Sequence, residues 1–210
     1  MFAGRVVGPR IPELMVIGCL FGTFDPPHIG HVAVAEHMLA HGNLDEVWLV
    51  VTPQNPFKKD KVLSPDHHRL AMVRLAVQGH TGLVASGFEL DLPEPSYTVD
   101  SLEFMRRRWP QHQFVLIIGS DNLAQFHHWK DATEILEHHR LLVYPRDGFK
   151  EHLAHSDLLG HPAITFVADA PLVQESGTAI REAIGKWEPV NDRIDPMVLG
   201  YIRRNGLYKP

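Results

Sequence analysis

A chain of 210 residues, 44% hydrophobic and 21% charged, has the size and composition of one large α/β domain, or two small ones, with ample core. A net charge of −5 gives no electrostatic case for general nucleic-acid or membrane binding, and no apolar stretch is long enough to span a bilayer. The single cysteine, Cys19, excludes an internal disulfide framework and fits a reducing cytoplasm.

Residues 1–13 read as an N-terminal extension in which Pro9 and Pro12 interrupt any signal-peptide core. The apolar run Met15 to Leu20 predicts a buried strand, followed by a turn at Gly22, Asp25, Pro26 and Pro27. A helix opens at His28 and His31 with Val32, Ala35, Met38 and Leu39 inward, and Gly42 and Asn43 stop it. Glu46 to Val51 reads as a second buried strand. Residues 52–61 are too rich in Pro and Lys for regular structure and form a loop past that strand's C-terminal end, where open parallel sheets place ligands. Lys59 and Lys61 are expected to be solvated. Asn55 and Lys58 divide evenly between solvent and ligand.

Ser64-Pro65 predicts a helix start, with the helix running to about Gln78 and Leu70, Val73 and Val77 inward. Leu83 to Leu92 is expected to be extended. Thr98 opens a helix with Leu102 and Met105 inward and Arg106 to Arg108 at its negative end. Phe114 to Ile118 is a strand ending at Gly119-Ser120-Asp121; a short helix pair surrounds Trp129, and Leu141 to Tyr144 is a further strand. Residues 145–162 read as an irregular insertion and Ile164 to Val167 as the last strand. Ser176 caps a helix carrying Arg181, and Pro196 to Arg204 forms the terminal helix. Strand and helix alternate without repeats or linkers, which predicts a single α/β domain over 14–210 with one doubly wound parallel sheet. The fifteen histidines lack the carboxylate or cysteine company of a metal site.

Two stretches carry chemistry. In residues 15–31 a buried strand, a tight turn and a helix opening on paired histidines make a place for phosphate. The helix N-terminus offers unpaired N–H groups and partial positive charge, and Gly22 would let the backbone come close to a ligand. Histidines three apart sit on one face and can both reach that anion. The plainer reading is two ordinary capping histidines. In the second stretch, Glu175-Ser-Gly-Thr-Ala-Ile-Arg181, a cation early in a helix is disfavoured unless an anion shares the site, and guanidinium donates to two phosphate oxygens at once. The first strand–turn–helix lacks GxGxxG, so dinucleotide binding of the dehydrogenase type is not supported.

The string GTFDPPHIGH, containing His28-Ile29-Gly30-His31, resembles the GxFDPxHxGH signature of the nucleotidyltransferase superfamily, and Ser176, Thr178 and Arg181 resemble its ISSTxIR motif. PSYTVDSL (95–102), IIGSDNLAQFHHW (117–129) and YIRRNGLY (201–208) narrow the resemblance to the bacterial nicotinate-nucleotide adenylyltransferases. It implies a Rossmann-like fold and transfer of the adenylyl group of ATP to nicotinate mononucleotide. It also implies an ATP site of Gly22, Thr23, Phe24, His28, Gly30, His31, Gly119, Asp121, Ser176, Thr178 and Arg181. Within it His28, His31 and Arg181 would supply positive charge and donors, and Mg²⁺ would ride with the ATP. Thr98 and Trp129 would hold the pyridine, with Lys130, Asn55 and Lys58 nearby. Four positions depart from the family pattern, namely Phe21, Lys130, Glu175 and Gly177. Rival readings are a sister enzyme acting on pantetheine phosphate, which would have no use for PSYT and HHW, and a class I synthetase fragment, which would need a KMSKS-like segment. A third is an ATP-binding regulator without turnover. Oligomeric state is left open.

Overall fold

In the computed structural model, which describes residues 14–53, 62–146, 156–171 and 175–209, the first apolar run forms strand β1, Val16–Gly22. It leads through the turn into helix α1, Ile29–His41, which ends at Gly42 with Asn43 in the left-handed region. Strand β2, Glu46–Val51, helix α2, Asp66–Ala76, and strand β3, Leu83–Ser86, complete the first half. Helix α3, Thr98–Arg108, strand β4, Gln113–Gly119, and the short helix α4, Ser120–Leu123, open the second. Helix α5, Ala132–His138, strand β5, Leu141–Tyr144, the single turn α6, Ser156–Leu159, and strand β6, Ile164–Phe166, follow. Helices α7, Gly177–Gly185, and α8, Pro196–Asn205, close the chain.

The strands form one sheet in the order β3-β2-β1-β4-β5-β6, every pair parallel. Period-two alternation splits the core between its faces. Val115 and Ile117 of β4 join Val32, Ala35 and Met38 of α1, Val73 of α2, and Ile180 and Ile202 of the last two helices. Phe114, Leu116 and Ile118 face the other way, against Leu102 and Met105 of α3 and Ile135 of α5. The direction of strand addition reverses between β1 and β4. Open parallel sheets bind ligands at such a switch point, outside the carboxyl ends of the strands.

Three local expectations need correction. The stretch 83–92 is extended only as far as Ser86. Beyond Gly87 the chain winds into a 3-10 turn, Phe88–Asp91, with the Leu90 and Leu92 N–H groups bonded back to Gly87 and Glu89, and this turns Glu89 into the interior. Ser64 does not cap α2; Pro65 holds that position, and Ser64 spends its N–H on Asp25 and its carbonyl on Arg69. The helix also stops at Ala76, and its fully buried side chains are Arg69, Met72 and Val73, with Leu70 only half-buried.

Candidate active site

Two loops and two helix starts meet at the switch point around a cavity of ≈ 350 Å³. One end is walled by the β1–α1 turn (Gly22, Thr23, Phe24, Asp25, His28, His31) and the start of α7 (Ser176, Thr178, Arg181). The other end is walled by Ser96, Tyr97, Thr98, Trp129 and Lys130, with Gly119 and Asp121 at the mouth of β4 between them. Gly30 lies buried in the first turn of α1 and does not reach this wall. Asn55 and Lys58 lie outside the described residues.

At the turn, Phe24 takes a left-handed backbone with φ 47°, unfavourable for a bulky side chain, and is held there by burial at 2% exposure. Its ring explains Gly22 differently from expectation. A Cβ at Gly22 would meet the Phe24 ring at 3.0 Å, so the glycine makes room for the phenylalanine, which in turn packs edge-on against the His31 ring at 4.9 Å.

The histidine rings stack at 3.7 Å and 29°. The His28 N–H donates to His31 Nδ1 at 3.2 Å, which leaves the His31 proton on Nε2 as a donor. Burial, with the charges of Arg146 and Arg193 adding to it, brings His28 down to about 4. Burial and the neighbouring His28 hold His31 well below its ordinary value. Burial thus disfavours the charged form of both rings, which leaves their neutral forms to donate and accept hydrogen bonds. Among the described residues that line the cavity, the arginines and lysine are Arg181, Arg146 and Lys130, the last paired with Asp100.

Arg181 Nη1 donates to the Asp25 carbonyl at 2.5 Å and lies 3.9 Å from Asp25 Oδ2; Nη2 donates to Thr178 Oγ1 at 3.2 Å. Asp25, itself 4% exposed, also accepts from the Tyr208 hydroxyl at 2.5 Å and from the Ser64 N–H at 3.2 Å. The C-terminal YIRRNGLY segment thus closes on the turn through its last tyrosine, whose phenol is pushed far up by burial and the Asp25 contact and stays a donor. Gly177 is explained by the same crowding. A Cβ there would stand 2.9 Å from the Asp25 carbonyl and 3.4 Å from Arg181 Nη1, so the usual serine would push the turn away. Ser176 caps α7, accepting from the Ala179 N–H at 3.1 Å. Glu175 binds Arg193 Nε at 2.7 Å, while the Arg193 carbonyl accepts the Ile29 N–H at 3.1 Å, tying the α7 approach to the start of α1.

At the far end, Thr98 begins α3 without acting as its cap; Tyr97 holds that position. Trp129 is half-buried, its ring 5.3 Å from that of Phe126. Lys130 Nζ spends its charge on both Asp100 oxygens at 2.8 Å and lies 5.0 Å over the Tyr97 ring. Phe21, half-buried, lines the cavity and packs on the α3 face of the core. Asp121 lies 3.7 Å from Arg146 Nε, and a Cβ at Gly119 would strike the Asp121 carboxylate at 2.4 Å.

Sequence reasoning missed four residues. Arg146, Glu89 and Ser96 line the cavity. Arg69, 0% exposed, sits behind it and donates to the carbonyls of Thr23 at 2.8 Å, Thr52 at 2.5 Å, Pro53 at 3.1 Å and Ser64 at 3.0 Å, and to Asp66. Only Ser96 had a visible signal, as part of PSYT.

A parallel sheet in this order, with paired histidines at the first helix start and an arginine aimed at the same turn, defines a nucleotidyltransferase, and residues 19–183 match the cytidylyltransferase-like family model. A Flavobacterium johnsoniae protein described as a "probable nicotinate-nucleotide adenylyltransferase" is 43% identical over 195 residues, covering 93% of this chain and 100% of the relative. A Bacteroides fragilis protein of the same description is 41% identical over 181 residues, covering 86% and 88%. The chain belongs to the nicotinate-nucleotide adenylyltransferase family. The fold is shared with a Plasmodium falciparum nicotinic acid mononucleotide adenylyltransferase complexed with NaAD, at a TM-score of 0.73 and 21% identity over 92% of this chain and 97% of that one.

Proposed function

We propose that the cavity holds ATP at its His28–His31–Arg181 end and nicotinate mononucleotide at its Thr98–Trp129 end, and joins them. The observation that carries this is one continuous wall from the α1 start to the α3 start, which would set the two phosphates side by side at the switch point. An oxygen of the mononucleotide phosphate forms a bond to the α-phosphorus of ATP while the bond to the bridging oxygen breaks and pyrophosphate leaves. No protein nucleophile is required. Catalysis is positioning plus stabilisation of charge on the phosphoryl oxygens. Arg181 supplies a cation and His31 its Nε2–H, while Gly22, Thr23, Phe24, Ser176 and Thr178 shape the phosphate wall. Gly119 and Asp121 border the nucleotide. Mg²⁺ enters as part of the ATP substrate, as Mg²⁺ commonly does on phosphate oxygens. Asp25, the carboxylate nearest the turn, is already committed to Tyr208 and Ser64.

Thr98 and the free N–H groups at the α3 start read the pyridine carboxylate. Lys130, neutralised by Asp100, contributes little to that reading. A site built of donors leaves one donor facing the amide NH₂ when the amide form enters, costing about 1–3 kcal/mol. Pyrophosphate release measured over a panel of mononucleotides should therefore favour nicotinate over nicotinamide mononucleotide by at least about tenfold in kcat/KM, and should be negligible with pantetheine phosphate. Equal efficiency on acid and amide would refute the specificity. Turnover on pantetheine phosphate alone would refute the substrate.

Trp129→Ala should raise the mononucleotide KM several-fold to about tenfold and leave the KM for ATP nearly unchanged, since a lost aromatic stack is worth about 0.5–1.5 kcal/mol beyond its area. If both constants rise together, or the fold melts, the ring belongs to the Phe126 packing and does not serve as a platform.

A further inference from the structure

The reaction described above leaves the C-terminal YIRRNGLY segment, residues 201–208, without a role. Gly206 ends α8 with φ 65°, in the left-handed region, and the Leu207 N–H bonds back to the Ile202 carbonyl at 3.1 Å. Tyr208 follows with a left-handed backbone of its own at φ 61°, costly for a bulky side chain. Phe24, in the β1–α1 turn, does the same at φ 47°. Such backbone persists only where surrounding contacts hold it, and it gathers at functional sites. Asp25 joins the two, since it follows Phe24 in the chain and accepts the Tyr208 hydroxyl on Oδ1 at 2.5 Å.

The Asp25 side chain is 2% exposed and lies against a cation. Arg181 Nη1 stands 3.9 Å from Asp25 Oδ2, while the same nitrogen donates to the Asp25 carbonyl at 2.5 Å. A carboxylate and a guanidinium left to themselves close into a two-pronged pair, about 2.7–2.9 Å from donor to acceptor. Here each carboxylate oxygen already has another donor, Tyr208 on Oδ1 and the Ser64 N–H on Oδ2 at 3.2 Å. The guanidinium therefore rests on a neutral carbonyl, and its fork is not tied up by the Asp25 charge. Burial and the Asp25 contact push the Tyr208 phenol far up, so it stays a donor.

We propose that Tyr208 is a positioning residue for adenylyl transfer: its hydroxyl occupies Asp25 Oδ1, keeps that carboxylate from capturing Arg181, and leaves the guanidinium open to the phosphates of ATP. This rests on the reading of the Arg181 end as the phosphate site. Without the hydroxyl, Oδ1 is a buried acceptor lacking a donor, a costly state that the carboxylate escapes by turning onto Arg181. Arg181 then meets ATP already paired. The chain end thus belongs to the active site, although Tyr208 itself does not line the cavity.

Tyr208→Phe keeps the ring and its packing on the core and removes only the donor. It should lower kcat/KM for Mg–ATP and raise the Mg–ATP dissociation constant, each by at least about tenfold, the worth of a hydrogen bond to a charged group. The KM for the mononucleotide should stay within about twofold, as for an independent site. The same comparison in an Arg181→Ala background separates positioning from stability. With no guanidinium to capture, the Phe substitution should cost less than about twofold there. Reading the dissociation constant by calorimetry closes the cycle even where Arg181→Ala leaves no turnover to measure. A loss of the same size in both backgrounds, a mononucleotide KM that rises in step, or a Tyr208→Phe protein that does not fold makes the hydroxyl a structural contact and overturns the proposal. If Arg181→Ala itself leaves both Mg–ATP constants unchanged, the phosphate reading falls with it. If Arg181→Ala costs its full factor while Tyr208→Phe keeps parental constants, only the role of Tyr208 falls.

Discussion

Arg181→Ala is expected to lower kcat/KM for adenylyl transfer about 10²–10³-fold while the melting temperature stays nearly constant, the usual cost of removing one preorganised donor to a charged transition state. The guanidinium is three-quarters buried, with one Nη held on the Asp25 carbonyl and the other on Thr178, so its position is set before substrate arrives. The turn does not depend on it, because Tyr208 and Ser64 continue to hold the Asp25 carboxylate. Arg181→Lys keeps the charge but loses the planar fork and should fall between the two. His31→Ala should cost a similar factor for another reason, since it removes a neutral Nε2–H and not a cation. It also frees the His28 N–H at the α1 start, a cap-like loss of about 1 kcal/mol. The double variant should lose less than the product of the two factors if both groups serve one phosphoryl centre. Either single variant retaining a tenth of parental turnover with unchanged melting would remove that residue from the phosphate site.

Much of this was readable from local pattern. β2 and β5 are found where continuous apolar runs place them, and the strand–turn–histidine–helix unit is where the motif puts it. The errors share a cause, which is that distant parts of the chain set local behaviour. Leu83 to Leu92 looks extended by composition, yet Gly87 packs against Leu70 of α2 and the chain turns inward there. The lowered basicity of His28 and His31 could not be read from their spacing, because it comes from burial, helped by Arg146 at both rings and by Arg193 at His28, more than a hundred residues downstream. Lys130 reads as a free cation until α3 brings Asp100 beside it. Glu175 and Gly177 look like losses from a motif, whereas Arg193 and the Asp25 carbonyl give each a reason.

Arg69 is the extreme case, and it carries the largest expected effect on stability. In HHRLAM nothing beside the arginine, a histidine on one side and a leucine on the other, marks it as buried. Its partners, the carbonyls of Thr23, Thr52 and Pro53, come from two loops that no periodicity connects to α2. All five N–H groups of a guanidinium can be satisfied only in such a cage, and here the fork ties the β1–α1 turn to the segment after β2 and to the approach to α2. Arg69→Met fills the volume but leaves buried carbonyls without donors, at about 1–3 kcal/mol for each that water cannot reach. The net loss should be about 3–5 kcal/mol, like that of breaking a buried charged network from one side. For a domain of this size that lowers Tm by roughly 6–20 °C. Thr23 and Thr52 both line the cavity, so loosening the cage should also weaken ATP binding in the fraction that stays folded. Arg69→Lys keeps the charge with three donors on a single atom, which cannot span carbonyls on separate loops, and should rescue little of the Tm. Thermal melts of both variants, with and without Mg–ATP, decide the matter. Full rescue by lysine would mean that charge alone matters at this position, and an unshifted Tm in Arg69→Met would mean that water already satisfies the loops.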